Sequence, residues 1–441
     1  MKAVNAKKSE PKSFVEADDE GRYAIRLGPL GATPPFSPRQ WKVFGIAITA
    51  GFFDQYDRAL LSLALKQIQK GLKIAEASLG SMLSAIRLGF ALSLFVTPLA
   101  DVFGRRRLLL YTIVGYTIFT GLSAIAPGAR SFVAAQVLAR AFAGAEATIA
   151  LVILVEEVDA ANRGWAVGLL AAIASCGDAM AAVAFVAINL IPYGWRGLYA
   201  IALAPLILLI PLRRLLPESR RFEAESRAHA VPAGVWEPIR ELVRAYPRRL
   251  IMMLAIAFLA ALGGNPGGFF FPKFLQEVYG FSPFGVTAIY LVGGGLGILG
   301  NVVAGRLSDR FGRRSMGTLF NLLAPILVIL GYRLKMPRMT LAAAWTIAIF
   351  TYTAGATILA AYSAELFPTS YRSTAGAALG VAGTFGGAIG LFLESVLYRA
   401  THSHWTALSY LAGFWMLAPL IIIMLPETAG RELEAISADE N

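Results

Sequence analysis

Asp54, Asp57 and Arg58 sit inside an apolar stretch that runs from about Trp41 to Leu65. Their spacing of i, i+3 and i+4 puts all three on one face of a helix. A stretch of that length and apolarity crosses a bilayer, since about 20 residues at about 1.5 Å rise span a hydrocarbon core of about 30 Å. Charged groups at that depth cost at least a few kcal/mol each, so they face a cavity or one another, and a functional role is the default expectation. The chemistry open to such a set is proton binding. An adjacent guanidinium favours the carboxylate and dehydration favours the acid, so a rearrangement that separates the two loads or releases a proton. The plain alternative is a permanent ion pair that neutralises itself and sets helix register.

The elements that position these residues follow from composition. With 441 residues, 56% hydrophobic and 15% charged, and a mean hydropathy of +0.60, the chain belongs to the polytopic membrane class. Apolar segments fall near 41–65, 78–100, 107–126, 131–157, 165–191, 195–216, 248–271, 284–304, 315–333, 339–362, 373–398 and 405–425. They predict an all-α membrane protein of twelve transmembrane helices. The net charge of +12 raises nucleic acid as a partner, but most Lys and Arg fall on one side once the N-terminus is placed in the cytoplasm. That is the positive-inside pattern of topology, and no nucleic-acid partner is expected. An even number of spans puts both termini in the cytoplasm, with tails at 1–40 and 426–441. The polar first forty residues predict no cleaved signal peptide. Cys176 is the only cysteine and lies in an apolar run, so neither a disulfide framework nor a zinc spacing is present, and no metal or cofactor is expected.

Polar punctuation divides the chain into two halves. Asp101-Val102-Phe103-Gly104-Arg105-Arg106 recurs as Asp309-Arg310-Phe311-Gly312-Arg313-Arg314. Glu156, ahead of Arg163, recurs as Glu365 ahead of Arg372, and Pro217-Glu218-Ser219 recurs as Pro426-Glu427-Thr428. Three motifs at one offset of about 208 residues mean duplication, which gives six-span bundles at 41–216 and 248–425 joined by an Arg-rich cytoplasmic linker at 217–247. In the Asp-x-x-Gly-Arg-Arg turns glycine permits a tight reversal, and arginines bond carboxylates and helix C-termini. With the Glu/Arg pairs they are expected to form an ionic network that holds the cytoplasmic face shut. The alternative is a static positive-inside anchor.

These motifs resemble the major facilitator superfamily over nearly all of residues 41–436. Leu99 to Arg107 resembles its loop signature and Gly305 to Arg314 the second copy. Pro217-Glu218-Ser219-Arg220, Ala364-Glu365-Leu366-Phe367-Pro368-Thr369 and Pro426-Glu427-Thr428-Ala429-Gly430-Arg431 resemble the branch of sugar porters, aromatic-acid:proton symporters and organic-ion transporters. The sugar-contacting stretches of that branch are absent. Span 7 reads Leu262-Gly263-Gly264-Asn265-Pro266-Gly267-Gly268, and span 10 reads Gly355-Ala356-Thr357-Ile358-Leu359. Asp54-Gln55-Tyr56-Asp57 instead resembles the Asp-Gly-Phe/Tyr-Asp of aromatic-acid symporters, with Gln55 in place of glycine, which implies a charged organic substrate. Proton-coupled relatives set an aspartate on span 1 against an arginine on span 4, and Asp57 and Arg140 match those positions. Asp54 and Glu146 are the next candidates for the proton. The resemblance also implies a monomer working in the plasma or inner membrane.

Depth along the spans places Arg87, Arg140 and Asp178 level with Asp57 and Arg58, with Asp54 about a turn deeper and Glu146 deeper still. Arg58 and Arg87 are the arginines that the coupling pair does not use. Arg87 either snorkels to the interface or points inward, and inward-facing guanidinium groups suit a carboxylate or phosphate by two-point bonding. Asp54, Glu146 and Asp178 suit an organic cation, and the mixture leaves a zwitterion open. In the second half, Asn265-Pro266 is expected to break span 7 and form a gate. Phe269, Phe270, Phe271 and Tyr290 are candidates to line the pathway, with plain packing as the alternative. Glu394 is expected near the outer end of span 11 and hydrated.

The leading expectation is a proton-coupled secondary transporter of a small charged organic metabolite, most simply a symporter of an organic anion. A proton-driven exporter of cations or drugs is the second reading, and a non-transporting receptor on the same fold is the third. An enzyme is not expected, because no nucleotide-binding motif is present and His229, His402 and His404 lie in or beside polar connections.

Overall fold

Helix α1 (Pro38–Leu63) starts where the sequence supplies a cap. The Gln40 amide donates to Ser37 Oγ, the Ser37 amide donates to the Gln40 side chain, and Pro38 occupies the first turn, where no helical donor is missed. The computed structural model describes residues 15–17, 23–25, 33–159, 162–203 and 236–430. In the first half α1 is followed by α2 (Leu65–Leu72), a 3-10 turn (Glu76–Ser78), α3 (Leu79–Gly89), α4 (Ser93–Val96), α5 (Leu99–Phe103), α6 (Arg105–Ile125), α7 (Ala129–Glu157), α8 (Arg163–Val186) and α9 (Trp195–Ile201). The second half contains α10 (Trp236–Ala245), α11 (Pro247–Glu277), α12 (Pro283–Phe311), α13 (Arg313–Arg333), α14 (Arg338–Leu366), α15 (Thr369–Thr401), α16 (His404–Trp415) and α17 (Leu417–Ile422). A two-stranded antiparallel hairpin, Val15–Ala17 with Tyr23–Ile25, precedes them.

Ten stretches among the described residues are long and apolar enough to cross a membrane. Helix α1 has the length but carries the three charges, and α9 opens the sixth expected span, whose remainder lies outside the described residues. Together these account for twelve. Residues 217–235 of the linker, with Pro217 to Arg220 and His229, also lie outside them. Helix α10 occupies its second half and packs on α11 and α15.

In the first half α1 packs on α7 and α8, and α6 on α7; in the second, α11 packs on α15 and α16, and α14 on α12 and α13. The halves meet where α3 lies on α15, α8 on α12, and α1 and α2 on α11. Glycine sets the closest of these approaches. A Cβ on Gly80 of α3 would collide with the Leu391 carbonyl and Glu394 of α15.

Span 7 is not broken. Helix α11 runs unbroken through Pro266 and Pro272. A proline frees the carbonyl four residues earlier, here that of Leu262. Gly390 of α15 packs directly against this carbonyl, and Gly386 against that of Phe258. A neighbouring helix without side chains at the contact therefore shelters the freed group, as membrane helices require.

The duplicated turns are held by duplicated backbone geometry. Gly104 has φ 92° and ψ 133°, and Gly312 has φ 97° and ψ 143°, a region that is essentially open to glycine alone. A Cβ on Gly312 would also strike the Glu427 carboxylate. Gly312→Ala is expected to destabilise the folded protein by about 1–3 kcal/mol. A thermal-unfolding midpoint equal to wild type would contradict this.

Candidate functional site

A cavity of about 700 Å³ lies between the halves. Arg58 of α1 and Asp178 of α8 reach it from one side, and Asn265, Tyr290, Tyr352 and Trp415 from the other. Helices α1 and α8 can be this close because Gly177 presents no side chain to the Phe52 carbonyl. That contact sets Gln55 beside Asp178, to which its amide donates at 3.2 Å.

The spacing of the α1 charges places them as the helix dictates. Arg140 Nη1 lies 3.1 Å from Asp54 Oδ1, and the other guanidinium nitrogen bonds Asp57. Arg58 pairs with the second oxygen of Asp54 at 2.7 Å, one turn along α1. Asp57 is wholly buried and Arg140 nearly so, whereas the Arg58 side chain is 51% exposed at the cavity. Tyr116 and Tyr56 fix α1 around this cluster by donating to the carbonyls of Phe53 and Leu198. Six residues beyond Arg140 on α7, Glu146 is buried, and its Oε2 has no hydrogen-bond partner. Asp57 Oδ1 is likewise unpartnered.

Arg87 points inward rather than toward an interface. It donates to the carbonyls of Thr384 and Gly383 on α15, at 3.3 and 3.5 Å, beside Asn265. It is held in the seam between the halves and is not among the cavity's lining residues. Phe270 does not line the cavity either. It is fully buried with its ring 5.0 Å from that of His404, because Gly264, Asn265 and Gly268 occupy the cavity-facing side of α11 and Phe270 falls around the helix from them.

At the end of the molecule bearing the duplicated turns, Arg105 pairs with Glu156, and its counterpart Arg313 pairs with Glu365 at 3.0 Å and Asp309 at 2.6 Å. Glu427 caps α13 by accepting from the amides of Arg313 and Arg314, and Thr428 donates to Glu365. Glu365 thus takes Arg313 rather than Arg372. Arg106 is also engaged. The side chains of Asp101 and Arg163 lie outside the described residues. Each described ion pair on this face ties helices of one half.

The cross-links are at the opposite end. Lys273, fully buried on α11, bonds Glu76 at 3.0 Å and Glu277 at 2.7 Å, and His404 lies between Glu76 and Glu394. Glu394 is fully buried instead of hydrated. Sequence reasoning passed over Glu76, Lys273 and His404 because they stand just beyond the expected span ends, where solvent is the default. The 3-10 turn and the extra length of α11 bring them together. The i, i+4 spacing of Lys273 and Glu277 was the one available signal.

Two pseudo-symmetric helical halves around a central cavity, largely apolar and aromatic with Arg58 and Asp178 in its wall and sealed at one end, define a membrane carrier. A sequence profile of the Major Facilitator Superfamily matches residues 47–332 and 296–440, and the chain belongs to that superfamily of membrane transporters. It is a transporter and not an enzyme. It is 25% identical to a probable 4-methylmuconolactone transporter of Cupriavidus pinatubonensis, over 91% of this chain and 94% of that one. It is 28% identical to a gentisate transporter of Corynebacterium glutamicum, over 75% of each. Its fold matches the inward-open xylose transporter XylE from E. coli with a TM-score of 0.70 at 18% identity, covering 90% of this chain and 99% of that one.

Proposed function

We propose that this protein is a proton-coupled symporter of a small organic anion, working as a single chain in the cell membrane. The observation that carries the reading is the division of labour among the arginines. Arg140 is committed to Asp54 and Asp57, while Arg58 spends one bond on Asp54 and keeps the rest of its fork beside the cavity. Such a fork suits a carboxylate, and the aromatic wall of Phe271, Tyr290, Tyr352 and Trp415 suits a flat carbon skeleton. The relatives that carry gentisate and 4-methylmuconolactone support an organic acid. Asp57 is the proton carrier, with Asp54 and Glu146 the next candidates for that role. Both termini and the duplicated turns belong to the cytoplasmic side, so the seal at the opposite end makes this conformation inward-facing.

A thermal-shift screen against aromatic carboxylates, amines and sugars tests the class, since a ligand at 100 times its dissociation constant adds about 2.7 kcal/mol of stability. With the best ligand, Arg58→Ala is expected to weaken binding by about 1.5–3 kcal/mol, the value of a charge-assisted bond, and Arg58→Lys to lose part of it. Arg87→Lys reports whether the seam arginine reaches the anion as the halves separate. Asp178 at the cavity wall and the unpartnered Glu146 favour the second reading, an organic cation. In that case Asp178→Asn or Glu146→Gln abolishes binding and Arg58→Ala leaves it intact.

A further inference from the structure

We propose that the seal opposite the duplicated turns contains a second proton site. It is the imidazole of His404 between Glu76 and Glu394, which holds one extra proton when the halves are closed. The argument is a count of donors. His404 Nε2 lies 2.8 Å from Glu76 Oε2, and Nδ1 bonds Glu394 Oε1. A neutral imidazole has one N–H and one lone pair, whereas a carboxylate can only accept. One of the two contacts would then set lone pair against lone pair. The geometry closes only with an additional proton, and the imidazole, far more basic than a carboxyl group, is where it resides.

The charges around the ring agree. From α15 it faces Glu394 and the stacked ring of Tyr398; from the 3-10 turn, Glu76; and from α11, Lys273 and Glu277, with Phe270 beneath. On α13, Tyr332 stacks on the neighbouring Trp405 and gives its hydroxyl to the Gly267 carbonyl. Three carboxylates therefore meet one ammonium, and a neutral imidazole leaves two net negative charges around the buried ring. Protonation leaves one. Glu76 is 40% exposed and connects the site to the solution on that face.

The site spans both halves. Glu76 belongs to the first, and Lys273, Glu394 and His404 to the second. Beside it Ser81 of α3 donates its amide to Ser395 of α15, and Gly80 lies flat on the same turn of α15. Opening this face, as alternating access requires, separates Glu76 from His404 and removes the reason for the second N–H. Closure therefore takes up a proton from the solution on this face. The closed-to-open ratio falls as pH rises, by at most tenfold per pH unit for one linked proton. This proton is separate from the one assigned to Asp57, and the inference does not depend on the substrate.

The chain has three histidines, which makes ¹⁵N-histidine NMR readable. The expected result is one signal, absent in His404→Gln, with both ring nitrogens protonated at pH 7.5. In Glu394→Gln, where the amide can donate to Nδ1, the same ring is expected to read as neutral. For the seal itself, spin labels at Lys70→Cys and Ala400→Cys on a Cys176→Ser background report the distance between the halves. Raising the pH from 5.5 to 8.5 is expected to populate a longer distance in the parent and to leave Glu394→Gln closed. A neutral His404 ring in the wild type, a distance insensitive to pH, or an undiminished pH response in Glu394→Gln would each overturn the proposal.

Discussion

Asp57→Asn is expected to abolish accumulation of substrate against its gradient while leaving exchange of substrate across the membrane measurable. Asp57 is the one member of the α1 cluster that is wholly buried, and it shares Arg140 with Asp54. Its second oxygen has no partner, so the buried guanidinium is the group that compensates its charge. When Arg140 moves with α7 the carboxylate must either follow or take a proton, because an unpaired charge in a dry seam costs several kcal/mol. Asparagine has nearly the same shape and can bond Arg140, but it cannot carry a proton. The cycle then loses its coupling and keeps its binding site. The measurement is paired uptake in proteoliposomes, with and without an imposed pH gradient, alongside counterflow at equal pH. Gradient-driven uptake at the wild-type level in Asp57→Asn would remove the residue from the proton pathway and leave Asp54 or Glu146 to be tested the same way.

Arg140→Met is expected to cost about 3–5 kcal/mol of stability, the range for removing one partner of a buried ion pair. The loss falls unequally on the two aspartates. Asp54 retains Arg58 at 2.7 Å, whereas the described ion pairs of Asp57 end with Arg140. The double variant Arg140→Met with Asp57→Asn is therefore expected to recover most of the loss, since an unpaired charge is replaced by a neutral amide. Denaturation of the purified single and double variants measures the coupling between the two sites. Additive losses would mean that the pair contributes packing rather than charge compensation.

The sequence by itself determined the class, the span count and the cluster on α1. Hydrophobic runs of span length have few solutions in a bilayer, and charges within them at i, i+3 and i+4 must share a face. Duplicated motifs are local, so Arg105 and Arg313, and likewise Glu156 and Glu365, could be recognised as counterparts from their offset alone. Only the tertiary structure decided what the motifs bind. It gave Glu365 to Arg313 rather than Arg372, and it confined each described ion pair on that face to one half. It also kept α11 whole through Pro266, because the glycines of α15 shelter the carbonyl that proline frees, a contact between residues more than 120 positions apart in sequence. The seal of Glu76, Lys273, Glu394 and His404 depends on a 3-10 turn and on where three helices end. Burial at a span boundary is set by what packs over it, and that information is spread across both halves of the chain.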